Sequence, residues 1–308
     1  MADKTGIEWT DATWNPVTGC AKVSAGCKHC YAERNWGRLQ HLPAYAGRAF
    51  TDVATHADRL LQPLSWKRPR RIFVNSMSDL FHQDIHDDFI GMVFRTMARA
   101  PQHTFQVLTK RAERMQRLLT HPKMRGFVGD APWPLPNVWI GVSVEDQATA
   151  DERIPLLLDT PAAVRWISAE PLLGPVSLTK EYLSMKCGGT YPFRSLGDEH
   201  RTKLIDLLDW VVVGGESGPQ ARPMHPAWAR SLRDQCAAAA VPFLFKQWGE
   251  WQPVHPSGAA IPGCGTTPQR EPAFRFEHGH YFTKVGKKLA GRLLDGALHD
   301  GYPGACLR

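Results

Sequence analysis

Thr104–Leu158 reads TFQVLTKRAERMQRLLTHPKMRGFVGDAPWPLPNVWIGVSVEDQATADERIPLLL. It holds two short apolar runs, Thr104–Thr109 (TFQVLT) and Val138–Val144 (VWIGVSV). Charged sequence with leucines at helical spacing follows each, over Lys110–Leu119 and Glu145–Leu158. A run that is apolar on both faces suits a strand covered on both sides, and strand–helix alternation marks parallel β/α units. The same pattern extends outward. On the N-terminal side, Arg71–Asn75 (RIFVN) precedes an amphipathic stretch at Asp87–Arg99. On the C-terminal side come Val164–Ser168 (VRWIS), then Trp210–Val213 (WVVV) with a helix expected over Ala227–Ala240, then Val241–Phe245 (VPFLF). Six such units, with a short strand near Ala12–Asn15, predict an α/β fold: a complete or partial (β/α) barrel. A doubly wound open sheet is the alternative, and periodicity does not choose between them.

Residues 1–252 are expected to form the barrel and 253–308 a C-terminal extension. The stretch Val176–Asp209, which holds Cys187-Gly188-Gly189, is too long for an ordinary loop and reads as an insert before the late strand. Pro253 to about Arg275 is rich in Pro, Gly and Thr and reads as an irregular flap, with one last short helix expected in Lys284–Leu294.

The chain has 308 residues, 43% hydrophobic and 22% charged, which excludes collagen-like, coiled-coil and disordered classes. No run approaches the roughly 18–20 apolar residues that span a bilayer, and the start MADKTGIEWTD lacks signal-peptide character. A cytoplasmic location without membrane contact is therefore expected. Formal charge is +7, which suits a polyanionic partner such as nucleic acid without requiring one. Eleven Trp exceed what a core of this size needs, and three of the seven Cys fall within eleven residues.

Each strand run ends in polar residues or glycine: Asn75, Ser76 and Asp79; Lys110 and Arg111; Ser143 and Glu145; Glu170; Gly214, Gly215 and Glu216; Lys246, Gln247 and Trp248. In parallel β/α folds the carboxyl ends of the strands share one face, and that face carries the site. Glu170 and Glu216 are thus expected to meet Lys110 and Lys246 around one polar cavity. Gly214 and Gly215 of GGESG could let backbone approach a carboxylate or phosphate, although the P-loop and dinucleotide spacings are absent. His82 in FHQDIHDD is a candidate proton donor or ligand.

Cys20, Cys27 and Cys30, spaced C-x6-C-x2-C with Tyr31 next, form the remaining motif. Clustered cysteines in a reducing compartment read as metal ligands or redox groups before disulfides. Three thiolates can hold three irons of a [4Fe–4S] cluster and leave the fourth iron open. Zinc competes, but it wants a fourth ligand and no second C-x2-C exists. A redox C-x-x-C would leave Cys20 without a task.

A three-cysteine loop after the first barrel strand, with an aromatic beside the last cysteine, resembles the radical S-adenosylmethionine superfamily. The blocks IEWTDATWNPVTGC, GCKHCYAE, NSMSDLFH, QVLTKR, WIGVSVE, SAEPLLG, VVVGGESG and FKQWGEW more closely resemble a phage-associated three-cysteine-motif family, catalogued as of unknown function. That resemblance runs from about Gly6 to Trp251, with an echo at Lys284–Gly296. It implies that Cys20, Cys27 and Cys30 ligate a [4Fe–4S] cluster and that S-adenosylmethionine is split to a 5′-deoxyadenosyl radical, with an electron donor as partner. Tyr31 would lie near adenine, Ser76 and Asp79 near the methionine amine, Lys110 near its carboxylate, and Ser143 near ribose or carboxylate. Gly214 and Gly215 are further candidate cofactor contacts, and Glu170, Glu216 and His82 candidate catalytic groups. The superfamily spacing is C-x3-C-x2-C, whereas the first gap here is six. Its usual GGE position reads NSMSD here, so the late GGESG does not inherit the amine-binding role.

Basic and aromatic residues interleave at Ser65–Phe73 (SWKRPRRIF), where Arg and Lys could hold phosphates and exposed Trp could stack on bases. A radical enzyme that repairs or modifies nucleic acid fits by analogy. The alternative is a non-catalytic iron–sulfur or zinc protein that binds nucleic acid.

Overall fold

A computed structural model describes residues 5–182, 202–259, 261, 272–277 and 279–304. Seven parallel strands form the main sheet: β1 (Ala12–Trp14), β2 (Arg71–Val74), β3 (Thr104–Thr109), β4 (Val138–Ser143), β5 (Val164–Ala169), β6 (Trp210–Gly214) and β7 (Phe243–Gln247). They lie side by side in chain order. A doubly wound sheet reverses its strand order at a switch point. No reversal occurs here, so that alternative is excluded. Among the described residues β1 and β7 do not pair with each other, and the barrel is partial.

How far the sheet curls follows from one residue. The Trp9 ring lies 4.7 Å from Phe73 in β2 and 6.1 Å from Trp210 in β6. In a flat sheet β2 and β6 would stand four strand spacings apart, roughly 19 Å. One indole reaches both only because the sheet rolls around it.

Strand alternation then sorts the two faces. The convex face carries Ile72 and Val74, Phe105 and Val107, Val138, Ile140 and Val142, Ile167, Val211 and Val213, and Phe243 and Phe245, all buried in the main core. Against it pack α2 (Asp87–Ala98), α3 (Ala112–Thr120), α5 (Gln147–Leu158) and α6 (Pro226–Ala238), while α4 (Pro122–Val128) packs beside α2. The concave face begins with aromatic residues: Phe73, Trp139, Trp166 and Trp210, joined by Trp9 and Tyr302. Toward the strand ends it turns polar, Ser143 following Trp139 and Gly141, Ser168 following Trp166, and Gly214 following Trp210 and Val212. Four of the eleven tryptophans, Trp9, Trp139, Trp166 and Trp210, thus fill the inside of a half-barrel.

Between β5 and β6 the described residues contain no α-helix, only a 3-10 turn at Leu204–Leu207. The ends of the expected insert instead pair as a short antiparallel stem, Glu181–Tyr182 with Thr202–Lys203, and Leu204, Ile205 and Leu208 enter the main core. Cys187, Gly188 and Gly189 lie outside the described residues. The C-terminal extension is described at 253–259, 261, 272–277 and 279–304, so residues 260 and 262–271 of the expected flap lie outside the described residues. It forms an antiparallel sheet of β8 (Trp251–Val254), β9 (Phe274–Arg275) and β10 (Tyr281–Lys284), in the order β8-β10-β9. The expected last helix is a single turn, α7 (Lys287–Ala290). Beyond it the chain returns to the β7 edge: Phe245 N donates to His299 O and Gly301 N to Phe243 O, both at 2.9 Å. Tyr302 is thereby set on the concave aromatic cluster, 5.3 Å from Trp210. This return covers an otherwise open strand edge.

Candidate functional site

Residues 15–30 follow β1 and cross the C-terminal ends of the other strands. Polar contacts tie this cysteine loop down at three of them. Arg111, after β3, donates to the Cys20 sulfur at 3.6 Å and to Ala21 O at 3.0 Å. Glu145, after β4, accepts from Ser24 Oγ at 2.9 Å. Past β6, Arg222 donates to Ala25 O at 3.0 Å, and Arg34 reaches Ser217 O at 2.6 Å. The chain then turns into α1 (Tyr31–Trp36), whose Ala32 and Trp36 form a small core with Tyr45, Phe50 and Met77. Cys20 and Cys30 pack against that core.

All three cysteines are half-buried and free of disulfides. Arg111 donates to the Cys20 sulfur, and Ser24 Oγ stands 3.8 Å from that of Cys27. Cys30 is the N-cap residue of α1, and its side chain accepts no capping hydrogen bond there. Burial pushes the Cys20 thiol up to about 11, Asp79 adding to the rise and Arg111 opposing it. Burial also raises Cys30. Cys27 lies within electrostatic reach of both. Among the described residues no group of three or more His, Cys, Asp or Glu is so arranged that it could hold a metal ion, the three cysteines included. Cys264 and Cys306 lie outside the described residues, and Cys236 is buried on α6.

Below the loop the strand-end charges are paired. Glu145, fully buried, receives Lys110 Nζ, Arg153 Nη1 at 3.1 Å and Ser24. Asp79 accepts from Phe81 N, Thr109 Oγ1, Lys110 N and Arg111 Nη1 at 2.7–3.1 Å. Glu170 takes Lys246 Nζ on both oxygens at 2.8 Å and Gln247 Nε2 at 3.1 Å. Glu216 is gripped by Arg222 at 2.6 and 2.8 Å.

Of the four groups expected to meet around one cavity, Glu170 and Lys246 are in contact, whereas Glu216 is held by Arg222 and Lys110 by Glu145. Ser143 and Ser168 are cross-strand neighbours on the concave face. Ser76 Oγ donates to Asn15 Oδ1 at 3.2 Å, beside β1. Tyr31 is 58% exposed at the outer rim of the loop. His82 is buried and kept below its usual pKa by that burial and by Arg111, and among the described residues its Nε2 has no partner. Arg153 and Arg222 were not singled out in the sequence. Arg153 sits on a helix with no local motif, whereas the GGESGPQAR run places Arg222 six residues beyond Glu216.

None of the eleven tryptophans, Trp66 of the basic segment included, is fully exposed. Six of the eleven are buried and five half-buried. Trp66, in the basic segment, lies under the Arg70 guanidinium, 5.0 Å from its centre.

Gly215 of GGESG and Gly249 of KQWGEW have a shared steric explanation. A Cβ on Gly215 would lie 2.0 Å from Trp248 O, and one on Gly249 2.0 Å from Glu216 O. The loops after β6 and β7 thus touch backbone to backbone. Gly215→Ala is expected to cost about 3 kcal/mol, at the upper end of overpacking effects, because a carbonyl fixed in a neighbouring loop cannot yield. Urea denaturation measures this, and a loss under about 1 kcal/mol would refute the close-approach explanation.

Fold and site together define a partial β/α barrel whose polar strand-end face is roofed by a three-cysteine loop. Residues 4–303 match the family described as proteins of unknown function, DUF5131, and the chain belongs to that family. No curated protein and no solved structure matches it. No helix among the described residues is long and apolar enough to cross a membrane.

Proposed function

We propose that the chain is an iron–sulfur enzyme of the radical S-adenosylmethionine type, in which Cys20, Cys27 and Cys30 hold a [4Fe–4S] cluster. One observation carries this reading: the loop that bears the three cysteines is bonded to three strand ends of a partial β/α barrel, and Arg111 and Ser24 approach two of its sulfurs. A loop serving only as a staple has no need to be tied to the polar face where such folds place their chemistry. By number and kind, three thiols without a fourth protein ligand suit a cluster with one open iron, and holding one would require the three sulfurs to draw together, since as they stand they form no metal-holding group. When bound, the cluster supplies a single electron to the sulfonium of S-adenosylmethionine, and an electron-donor protein is the implied partner.

The chain's own groups divide the remaining work. The hydroxyls of Ser143 and Ser168 lie on the concave face and are suited to hold ribose or carboxylate oxygens. Exposed Tyr31 is placed to cover the adenine. The Glu170–Lys246 pair offers a carboxylate and an ammonium that can exchange a proton with substrate. Asp79, already engaged by four donors, orients Arg111, and Lys110 acts through Glu145. The charge of +7 supports a nucleic acid as the substrate class, in repair or modification. Phosphate-dominated binding would weaken steeply with added salt.

The test is anaerobic reconstitution with iron and sulfide, followed by reductant and S-adenosylmethionine. About four irons per chain and release of 5′-deoxyadenosine are expected. Cys20→Ala, Cys27→Ala and Cys30→Ala should each lose the iron, and Cys236→Ala should keep it. Binding of zinc but not iron would replace this reading with a structural metal staple in a nucleic-acid-binding protein. Iron loading without any 5′-deoxyadenosine would remove the radical chemistry and leave the cluster.

A further inference from the structure

The positive charge is not spread evenly along the chain. Residues 20–48 hold five Lys and Arg against one carboxylate, Glu33, and residues 274–292 hold five against one, Glu277. Of the 37 Lys and Arg these two segments take ten, and of the 30 Asp and Glu only two, so the remainder is close to neutral. The fold brings both segments to one short loop after β6. Arg34 of α1 donates to Ser217 O at 2.6 Å, and Lys284 of β10 donates to Pro219 O, two residues on. Each of these cations also lies over a ring. Arg34 is 5.9 Å from the centre of Tyr31, and Lys284 is 5.8 Å from that of Trp251. Trp251 in turn stands 6.1 Å from Phe274 in β9, the edge strand of the C-terminal sheet. A ridge of alternating rings and cations thus runs from α1 to β9, and its two end rings are open to solvent: Tyr31 is 58% exposed and Phe274 38%. Exposed Arg38 lies one helical turn beyond Arg34, and exposed Arg275 follows Phe274. Among the described residues neither pairs with a carboxylate.

We propose that this ridge binds single-stranded nucleic acid, with phosphates held by Arg38 and Arg275 toward its two ends and a base stacked on Phe274. The inference rests on the nucleic-acid part of the reading above and on nothing held by the cysteines. Cations along a groove or ridge track the phosphate backbone, and exposed rings between them take the faces of the bases. Those faces are free only in a single strand, because in a duplex they are stacked on one another. An acidic protein would satisfy the cations and leave the exposed rings without a partner. The basic segment Ser65–Phe73 is the weaker candidate, since its Trp66 is half-buried under Arg70. Because the loop at Ser217–Pro219 leaves the end of β6, a strand lying on the ridge passes the rim of the polar strand-end face.

The experiment titrates the full chain against fluorescein-labelled single-stranded DNA of about 16 nucleotides, its RNA counterpart and the DNA duplex, read by anisotropy between about 50 and 200 mM salt. Tighter binding to the single strands than to the duplex is expected. Arg38→Gln and Arg275→Gln should each flatten the log–log salt dependence by about 0.7, the share of one phosphate on a single strand. Phe274→Ala and Phe274→Leu should both weaken binding about fivefold or more at an unchanged slope. Leucine keeps the apolar packing of β9, so a loss shared by the two variants belongs to the ring. Lys67→Gln, in the other basic segment, should bind as the parent does. Binding that responds to Lys67→Gln but not to the Arg38, Arg275 and Phe274 variants would overturn the inference. So would a preference for the duplex, or equal affinity for polyglutamate of the same charge, which would mark an acidic-peptide surface. A parent chain with no salt-sensitive affinity for any of the three nucleic acids would instead remove the nucleic-acid reading itself.

Discussion

Glu145→Ala is expected to destabilise the protein by about 3–5 kcal/mol, because it leaves two charges in the interior without their shared counter-ion. The carboxylate is fully buried and joins Lys110, Arg153 and Ser24. Arg153, 3% exposed, has no route to water without unpacking α5. A typical domain has only about 5–15 kcal/mol in total, so the loss is a large fraction of it. The same substitution cuts the bond from Ser24 and should release the cysteine loop. Gly26 supports this: a Cβ there would lie 2.5 Å from the Glu145 carboxylate, so loop and carboxylate are in direct contact. Two measurements check the prediction. Urea denaturation gives the stability change, and trypsin cleavage at Lys22 and Lys28 reports on the loop. Glu145→Gln, which keeps the shape and part of the hydrogen bonding, should lose less. Equal stability of Glu145→Ala and the parent would mean that the two cations find water, and the buried junction would be refuted.

Trp210→Ala should cost a similar amount, about 3–5 kcal/mol, for a different reason. Trp210 is fully buried at the centre of the concave cluster, with ring centroids of Trp9, Trp139, Trp166 and Tyr302 at 5.2–6.1 Å. Removing it opens a cavity between the N-terminal segment, two strands and the C-terminal return. Its Nε1 also donates to Gly301 O at 2.7 Å, which anchors the stretch that covers the β7 edge. Trp210→Phe keeps most of the ring and loses that bond, so about 1 kcal/mol of additional loss beyond repacking is expected. Near-ultraviolet circular dichroism should register the alanine variant strongly, since several tryptophans change surroundings together. A loss below about 1 kcal/mol for Trp210→Ala would show that the cluster does not hold the curl of the sheet.

The parallel β/α character was legible because strands covered on both faces are apolar throughout, and four of the six runs are answered by an α-helix. Six runs and the short first strand all appear within a few residues of their expected ends. The polar strand ends were legible for a similar reason: a strand turns polar where it leaves the core. Which strand-end charges pair was not legible. Lys110 lies one residue from Arg111, yet the two go to Glu145 and Asp79, and no spacing rule distinguishes them. Arg153 was invisible because its partner lies eight positions back, off the end of a strand rather than along the same helix.

The cysteine spacing, the strand–helix alternation and the tryptophan excess are properties of the chain, fixed by covalent order and local propensity. They determined a β/α architecture and a thiol-bearing loop. The order of the strands, the curl that brings β2 and β6 onto one indole, and the ties from the loop to three strand ends join residues up to about two hundred positions apart. Such contacts depend on how loops close and sheets roll, and local sequence does not encode either. The tertiary structure therefore decided that four of the tryptophans are an internal filling, that Gly215 is a close-approach residue, and that Arg111 reaches the sulfur of Cys20.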